Sequence, residues 1–178
     1  MHSPAMDRTF ALLERIDHLI GRGLDVVVIT LAGLLLLLLN YAVFARFVLN
    51  DSVSWGEELP AHILAMLTFV GAAYLTRTNE HLGFDAVLRE LPPRLKTVVM
   101  GGNLILMGGF GAMLAYYGTI AATSFGSRQL ISVDLPMALF RGAMPLGGAL
   151  ITLFCAIRLA RLATGRMTVD DLLPESDA

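Results

Sequence analysis

Four long apolar runs alternate with short polar segments along the chain. Residues 26–45 and 97–127 contain no Asp, Glu, Lys or Arg, and neither does the shorter run 59–76. The fourth run, 135–157, is interrupted by a single charge at Arg141. At about 1.5 Å of rise per helical residue, each run can cross a hydrocarbon layer of roughly 30 Å. The second run is the shortest, so its length leaves the smallest margin for this crossing. The predicted transmembrane helices cover residues 25–48, 59–77, 97–124 and 135–158.

Two segments outside these runs carry apolar residues at helical spacing. Residues 10–20 have an apolar stripe with charged residues opposite it, and they lead into the first span. Residues 84–91 repeat apolar positions at i, i+3, i+4 and i+7 before Pro92 and Pro93 end the pattern. Such stripes are typical of helices that lie in the membrane interface, so we expect one amphipathic interfacial helix in each segment.

The composition agrees with an all-α integral membrane protein. Hydrophobic residues make up 56% of the chain and charged residues 16%, with a mean hydropathy of +0.68. These values are too apolar for an ordinary soluble domain. The four spans leave little chain for anything else, so we expect residues 1–178 to form a single membrane domain in contact with the lipid bilayer, without a catalytic domain in water.

Lys and Arg are distributed unequally between the two sides that four alternating spans create. Ten of the thirteen lie in the N-terminal segment, in the connection 77–96 or in the tail from residue 158. Because cytoplasmic loops carry the excess of positive residues, we predict that the N- and C-termini and this connection are cytoplasmic. The short connections 50–58 and 126–134 would then face the opposite compartment.

The segment before the second span has the features of a helix start at a membrane surface. Ser54 and Glu57 have the spacing of a capping box, and the acidic pair Glu57 and Glu58 suits a helix N-terminus. Trp55 suits the membrane interface, and Pro60 removes one backbone donor and can bend the helix. For the two acids, three roles stay open: a surface cap, an ion pair with Arg141 or another subunit, and a direct part in transport.

Other polar residues have interpretations that the sequence leaves open. Arg141, about two turns inside the fourth span, can extend to the interface or pair with an acid such as Asp134. His81 and Asp85 are four residues apart and would share one helical face. An asparagine in hydrocarbon, such as Asn40, usually forms a hydrogen bond with another helix. The third span has small residues four apart, which lets two helix backbones approach closely: Gly108 with Ala112, Gly111 with Ala115, and Gly118 with Ala122.

No pattern in the chain points to chemistry. The single cysteine, Cys155, excludes an internal disulfide. Of four histidines only His62 falls within a span, whereas haem held within one chain would need a second histidine at the same depth. There is no nucleophile with a base, no phosphate-binding glycine loop and no basic stripe for nucleic acid. We therefore predict no catalytic, cofactor or metal site and no enzyme activity, which points to a subunit of a larger assembly.

Several of these segments together resemble a known family. The segments are Ser54-Trp55-x-Glu57-Glu58-Leu59, residues 69–73, Arg77-x-x-x-His81-x-x-x-Asp85, Leu91-Pro92 and residues 132–150. They are similar to the small membrane subunit, of DctQ type, of the tripartite ATP-independent periplasmic (TRAP) transporters. The resemblance extends from the first span to the last and is most specific over residues 54–92.

The resemblance implies a non-catalytic subunit of a bacterial inner-membrane transporter. In such a complex a periplasmic binding protein captures an organic acid, and a large multi-span subunit carries the substrate and sodium sites. The small subunit packs against the large one as a scaffold. The candidate interface or structural residues are then Trp55, Glu57, Glu58, Arg77, His81, Asp85 and Arg141.

Three other functions stay compatible with the sequence. One is the small subunit of a tripartite tricarboxylate transporter, which is also a four-span chain. Another is the membrane anchor of a respiratory oxidoreductase, with haem ligands shared between chains. The third is a self-contained small exporter acting as a homo-oligomer.

Overall fold

The described residues form helices, and the connections 48–57 and 126–136 between them are short. The computed structural model describes residues 4–78 and 92–164, with side chains described for 20–78, 92 and 95–164. In these ranges the helices are α1 (Pro4–Phe47), α2 (Glu58–Thr78), α3 (Pro93–Phe125), α4 (Met137–Arg141) and α5 (Ala143–Ala163).

Four helical segments are long and apolar enough to cross a membrane. They are Ile20–Phe47 in α1, Glu58–Thr78, Leu95–Phe125 in α3, and Met137–Ala163, which joins α4 to α5. The predicted all-α architecture with four spans is therefore confirmed. Of the two predicted interfacial helices, the one over 84–91 lies outside the described residues. The one over 10–20 is continuous with the first span, since α1 runs unbroken through Gly21 and Gly23.

The helices form a row in the order α1, α2, α5, α3. α1 packs mainly along α2, α2 packs along α5, and the most extensive contact of the row is between α5 and α3. One cluster of buried residues joins Leu24 of α1 to Val70 of α2 and Phe154 of α5. A second joins Ala73 of α2 to Leu104 of α3 and Cys155 of α5. α5 is thus the central helix of the core, and α1 and α3 are the edges.

The α3–α5 contact depends on the absence of side chains at several glycines. A Cβ added at Gly148 would lie 2.5 Å from the Ala115 amide nitrogen, and one at Gly118 would lie 2.8 Å from the nitrogen of Pro145. One turn before Ala115, Gly111 faces the backbone of Gly148. The predicted close approach at Gly111 and Ala115 and at Gly118 is therefore confirmed, with α5 of the same chain as the partner. Ala112 is exposed, so it does not share this face.

The α1–α2 contact is built from larger side chains. The apolar residues of α1 that are not fully exposed recur every three or four positions, which is the spacing of a coiled-coil seam. They are Ile20, Leu24, Val28, Leu31, Leu35, Leu38, Ala42 and Ala45. The opposite side of α1 is fully exposed, with Ile29 at 72% and Leu37 at 69%.

The fourth span is divided near its start. α4 ends at Arg141 and α5 begins at Ala143, with Gly142 between them. Pro145 has no N–H to donate to the Arg141 carbonyl, so one helical hydrogen bond is missing at this point. The Leu146 amide still donates to the Gly142 carbonyl at 3.2 Å, so the interruption is brief.

Candidate functional site

Most of the candidate residues lie at the two ends of α2. The connections 48–57 and 126–136 meet at its N-terminal end, which we call the short-loop end. The last turns of α2 and α5 meet the start of the α1 span at the opposite end, which we call the terminal end. His81 and Asp85 lie outside the described residues.

At the short-loop end, Glu58 binds the connection between α3 and α4. Its carboxylate accepts hydrogen bonds from the amide of Ile131 at 3.1 Å and from the amide of Ser132 at 2.8 Å. The hydroxyl of Ser132 donates a third. Hydrogen bonds to a charged acceptor are roughly twice as strong as neutral ones. Glu58 therefore fastens the distant connection to the first residue of α2.

The fastened connection has a fold of its own. We call residues 128–137 the loop hairpin, because the Met137 amide donates to the Arg128 carbonyl at 2.8 Å and the Leu130 amide to the Leu135 carbonyl at 3.0 Å. Leu130 is buried at 4% exposure, whereas its neighbour Ile131 is 96% exposed. The loop hairpin thus anchors one apolar side chain in the core and presents the next one outward.

The remaining residues of the acidic segment have different surroundings. α2 begins at Glu58, so Ser54 precedes the first helical residue by four positions and the predicted capping box is wrong. Glu57 is exposed. The Trp55 ring stacks on Tyr41 of α1, with the ring centroids 5.8 Å apart and the planes inclined by 10°. This stack places Trp55 beside the last turns of α1.

Arg141 contacts an aromatic ring and a thioether. Its guanidinium carbon lies 5.1 Å from the centre of the Phe125 ring, and its Nη2 lies 3.7 Å from the Met137 sulfur. Arg128 approaches the same ring at 5.3 Å. Within the described residues no acid is paired with Arg141, and Glu58 is bound to the loop hairpin instead. The considered ion pair of Arg141 with Glu57, Glu58 or Asp134 is therefore not formed among the described residues.

At the terminal end, two arginines connect three helices. Arg158 of α5 donates to the carbonyls of Thr76 and Arg77, which belong to the last turn of α2 and lack helical partners. The guanidinium of Arg77 lies against Gly21 of α1, where an added Cβ would overlap it. From the sequence, Arg158 contributed only to the predicted topology. The position of Arg158, a basic residue about one turn from the end of a span, was the signal that could have predicted this contact, because such a side chain can reach the exposed carbonyls of a helix end.

Two polar residues inside the spans form hydrogen bonds with their own helices. Asn40 is exposed and donates to the Leu36 carbonyl at 2.8 Å, and among the described residues it forms no hydrogen bond with another helix. The His62 Nδ1 lies 2.8 Å from the Glu58 carbonyl, and its ring meets Phe140 edge-on at 5.3 Å. Within the described part of the chain, no group of three or more His, Cys, Asp or Glu residues is arranged to hold a metal ion.

Comparison with known proteins gives a consistent result. The family model of the DctQ component of tripartite ATP-independent periplasmic transporters matches residues 35–165. The chain is 22% identical over 137 residues to the sialic acid TRAP transporter small permease protein SiaQ of Vibrio cholerae, covering 76% of this chain and 79% of that protein. It is 32% identical over 98 residues to the ectoine TRAP transporter small permease protein TeaB of Halomonas elongata, covering 54% of this chain and 46% of that protein.

A third relative is a Haemophilus influenzae protein named as a TRAP transporter small permease, 26% identical over 82 residues. That match covers 46% of this chain, and the chain spans about half the length of this relative, at 51%. Small permease proteins of this kind are multi-pass proteins of the inner membrane and are not enzymes. The match to the family model extends from the middle of the first span to the end of the last. The chain therefore belongs to the DctQ component family of the tripartite ATP-independent periplasmic transporters.

Proposed function

We propose that this chain is the scaffold subunit of a sodium-driven transporter. It holds a large multi-span TRAP membrane subunit in the bilayer, and a periplasmic solute-binding protein delivers the solute to the complex. The proposal is supported by family membership and by one structural observation, which is the exposed side of α1.

The exposed side of α1 carries a polar group within the apolar run of the first span. Asn40 lies seven residues before the end of α1, and within the described part of the chain its side chain makes one hydrogen bond, to the Leu36 carbonyl. An amide has a second N–H and a carbonyl oxygen that can form further bonds. Polar side chains in spans commonly join helices, so a helix of the large subunit against this side would satisfy Asn40.

The solute is proposed to be an organic acid. The names of two relatives specify sialic acid and ectoine, both of which carry a carboxylate. The substrate and sodium sites are assigned to the large subunit, because this chain offers no buried charged group along a path through its row of helices within the described residues.

The candidate residues are given structural roles in this proposal. Trp55, Glu57 and Glu58 stabilise the short-loop end or its contact with the partner, and Arg141 belongs to the same end. Arg77, together with His81 and Asp85, serves the terminal end. The short-loop end faces the periplasm if both termini are cytoplasmic, as the charge distribution predicts.

The experiment is purification from the native membrane through a tag at the C-terminus, followed by identification of what accompanies the chain. A stoichiometric and much larger multi-span protein is expected. A soluble flavin or iron–sulfur subunit would indicate a redox anchor, and a stable homo-oligomer active alone in liposomes would indicate an exporter. Either result would contradict the scaffold proposal.

Two variants test the role of α1 within that experiment. Asn40→Leu is expected to lower the amount of co-purified large subunit and the uptake of solute, without lowering the thermal stability of the chain alone. Asn103→Leu is the matched control, because Asn103 is also exposed within a span but lies on α3, at the other edge of the row. Equal recovery of the large subunit with both variants would contradict the placement against α1.

A further inference from the structure

Two adjoining depressions at the short-loop end form one amphipathic groove. One, of about 180 Å³, is lined on the α1 side mainly by apolar residues that include Leu39, Val43 and Phe47. The other, of about 400 Å³, is polar and includes Asn50 and Ser54. The two depressions share Arg46, Ser52, Val53 and Glu57 along their common border. A single elongated molecule with a polar head and an apolar chain fits this arrangement.

The groove lies at the depth where a bilayer changes from headgroups to acyl chains. Trp55 stacks on Tyr41 beside it, and these two residue types are enriched at the membrane–water boundary. The polar depression lies beyond the last residue of α1, Phe47, and the apolar one extends back along the α1 span. The polarity of the groove therefore changes in the same direction as that of the surrounding lipid.

The border of the groove carries one charge of each sign. Arg46 and Glu57 are both exposed. The Arg46 guanidinium lies 5.8 Å from the centre of the Phe47 ring, and within the described residues neither side chain forms a salt bridge. An arginine fork matches the geometry of a phosphate, and a carboxylate accepts hydrogen bonds from an ammonium group. A ligand with a phosphate and a primary ammonium group would thus meet both charges.

Backbone geometry keeps the two walls of the groove close together. A Cβ added at Gly56 would lie 3.3 Å from the Ala42 Cβ and 3.2 Å from the Val53 carbonyl oxygen, so a glycine allows this segment to rest on α1. Asn50 has a φ of 52°, in the left-handed region that asparagine tolerates better than most residues, and it turns the chain back after α1. The groove is a feature of how α1 is connected to α2.

We propose that this groove binds a zwitterionic aminophospholipid of the adjacent leaflet, of the phosphatidylethanolamine type. One acyl chain lies along Leu39, Val43 and Phe47, the phosphate binds Arg46, and the ammonium group binds Glu57. Phosphatidylglycerol offers no positive charge to Glu57. Phosphatidylcholine has a positive charge but no N–H to donate. The site therefore distinguishes headgroups, which a merely apolar lipid contact would not do.

The test measures which lipids the protein retains, with the chain purified together with any partner it carries. Nanodiscs contain phosphatidylethanolamine and phosphatidylglycerol, or phosphatidylcholine and phosphatidylglycerol, in equal amounts, and retained lipid is counted by native mass spectrometry. Phosphatidylethanolamine is expected to be enriched over the bulk mixture, and phosphatidylcholine is not. Arg46→Gln and Glu57→Gln should each lower that enrichment roughly tenfold, the effect of losing one charge-assisted hydrogen bond.

Matched controls separate the site from a general charge effect. Arg128→Gln removes another arginine at the same end that lies over an aromatic ring, at 5.3 Å from Phe125, but does not line the groove, so it should leave the enrichment unchanged. Val43→Trp fills the apolar depression and should abolish retention while both charges stay in place. If Arg46→Gln or Glu57→Gln fails to fold, Val43→Trp still tests the proposal.

Three outcomes would overturn the proposal. The first is equal enrichment in the wild type and in Glu57→Gln, and the second is retention without a preference among headgroups. The third is a crosslink from Val43 to another protein together with no retained lipid, which would make the groove a protein contact. Because retention is measured on the purified protein and not by uptake, failure here is separate from failure of the proposed scaffold function.

Discussion

The two edges of the helix row are joined to the core in different ways. α3 meets α5 through glycines whose missing side chains let the two backbones approach, whereas α1 meets α2 through a stripe of Leu, Val and Ile side chains. None of the most apolar stretch of α1 is buried, against 17% of the corresponding stretch of α3. A backbone contact tolerates no replacement, while a side-chain contact in lipid can be shared with neighbours. α1 is therefore the less buried of the two edges, although both carry exposed apolar side chains.

The largest effect should follow from a side chain placed between α3 and α5. Gly148→Leu would set its Cβ 2.5 Å from the Ala115 amide and 2.6 Å from the Gly111 carbonyl oxygen, and neither backbone atom can move alone. Overpacking of this kind costs about 1–3 kcal/mol or more, so the thermal unfolding midpoint in detergent should fall by several degrees or the chain should fail to fold.

Gly109→Leu is the control for that substitution. Gly109 lies on α3, the helix that Gly148 packs against, but it is exposed, and an added Cβ there meets nothing within 4 Å. Its unfolding midpoint should stay close to that of the wild type. If both variants lost the same stability, the glycine contact would not be what distinguishes the two edges.

The second effect concerns the loop hairpin, which links the two edges through α2. Glu58→Gln leaves a single acceptor oxygen and introduces an N–H₂ group where three donors converge. The amides of Ile131 and Ser132 should then exchange their hydrogens faster, on the order of tenfold, because they lose a charged acceptor. Hydrogen-exchange mass spectrometry of the segment 126–136 gives the rate.

Glu57→Gln is the neighbouring control, since Glu57 is exposed and outside the hydrogen bonds of the loop hairpin. It should leave exchange in 126–136 unchanged. Similar acceleration by both variants would mean that local charge, and not the Glu58 hydrogen bonds, holds the loop hairpin.

Which parts of this structure could be predicted depends on the kind of contact. The four spans follow from runs without charges, because the bilayer acts on composition alone. The glycine spacing in α3 also indicated a close contact, although the exposed Ala112, four residues after Gly108, shows that spacing alone does not select the face. Glu58 and Arg158 could not be assigned, because all their described hydrogen-bond partners, except the Ser132 hydroxyl, are backbone groups of the loop hairpin and of the last turn of α2. Nearly every residue type supplies the same backbone N–H and C=O groups, so the sequence does not show which of them a side chain will bind.

The third prediction compares alanine substitutions at two glycines near the start of the α1 span. Gly23→Ala should raise stability by about 0.5–1 kcal/mol, because alanine favours the helix and the added Cβ meets nothing within 4 Å. Gly21→Ala gains the same helix propensity, but its Cβ displaces the guanidinium of Arg77. It should therefore raise the stability of the chain by less than Gly23→Ala does. Thermal unfolding of the two variants beside the wild type measures the difference. An equal gain for both would show that Arg77 does not contribute to the α1–α2 contact.

The smallest effect should come from the exposed side of α1, and it tests the comparison most directly. Leu37 is 69% exposed, so Leu37→Ala removes contacts with detergent or lipid and few with the protein. The free energy of unfolding of the chain alone, followed by its thermal midpoint, should change by less than about 0.5 kcal/mol, as for substitutions outside a packed core. A loss as large as that of Gly148→Leu would mean that α1 packs on both sides within the chain, and the row would have no open edge. An unchanged midpoint together with weaker recovery of the large subunit would instead assign the side chain of Leu37 to the contact between subunits, because only the assembly buries it.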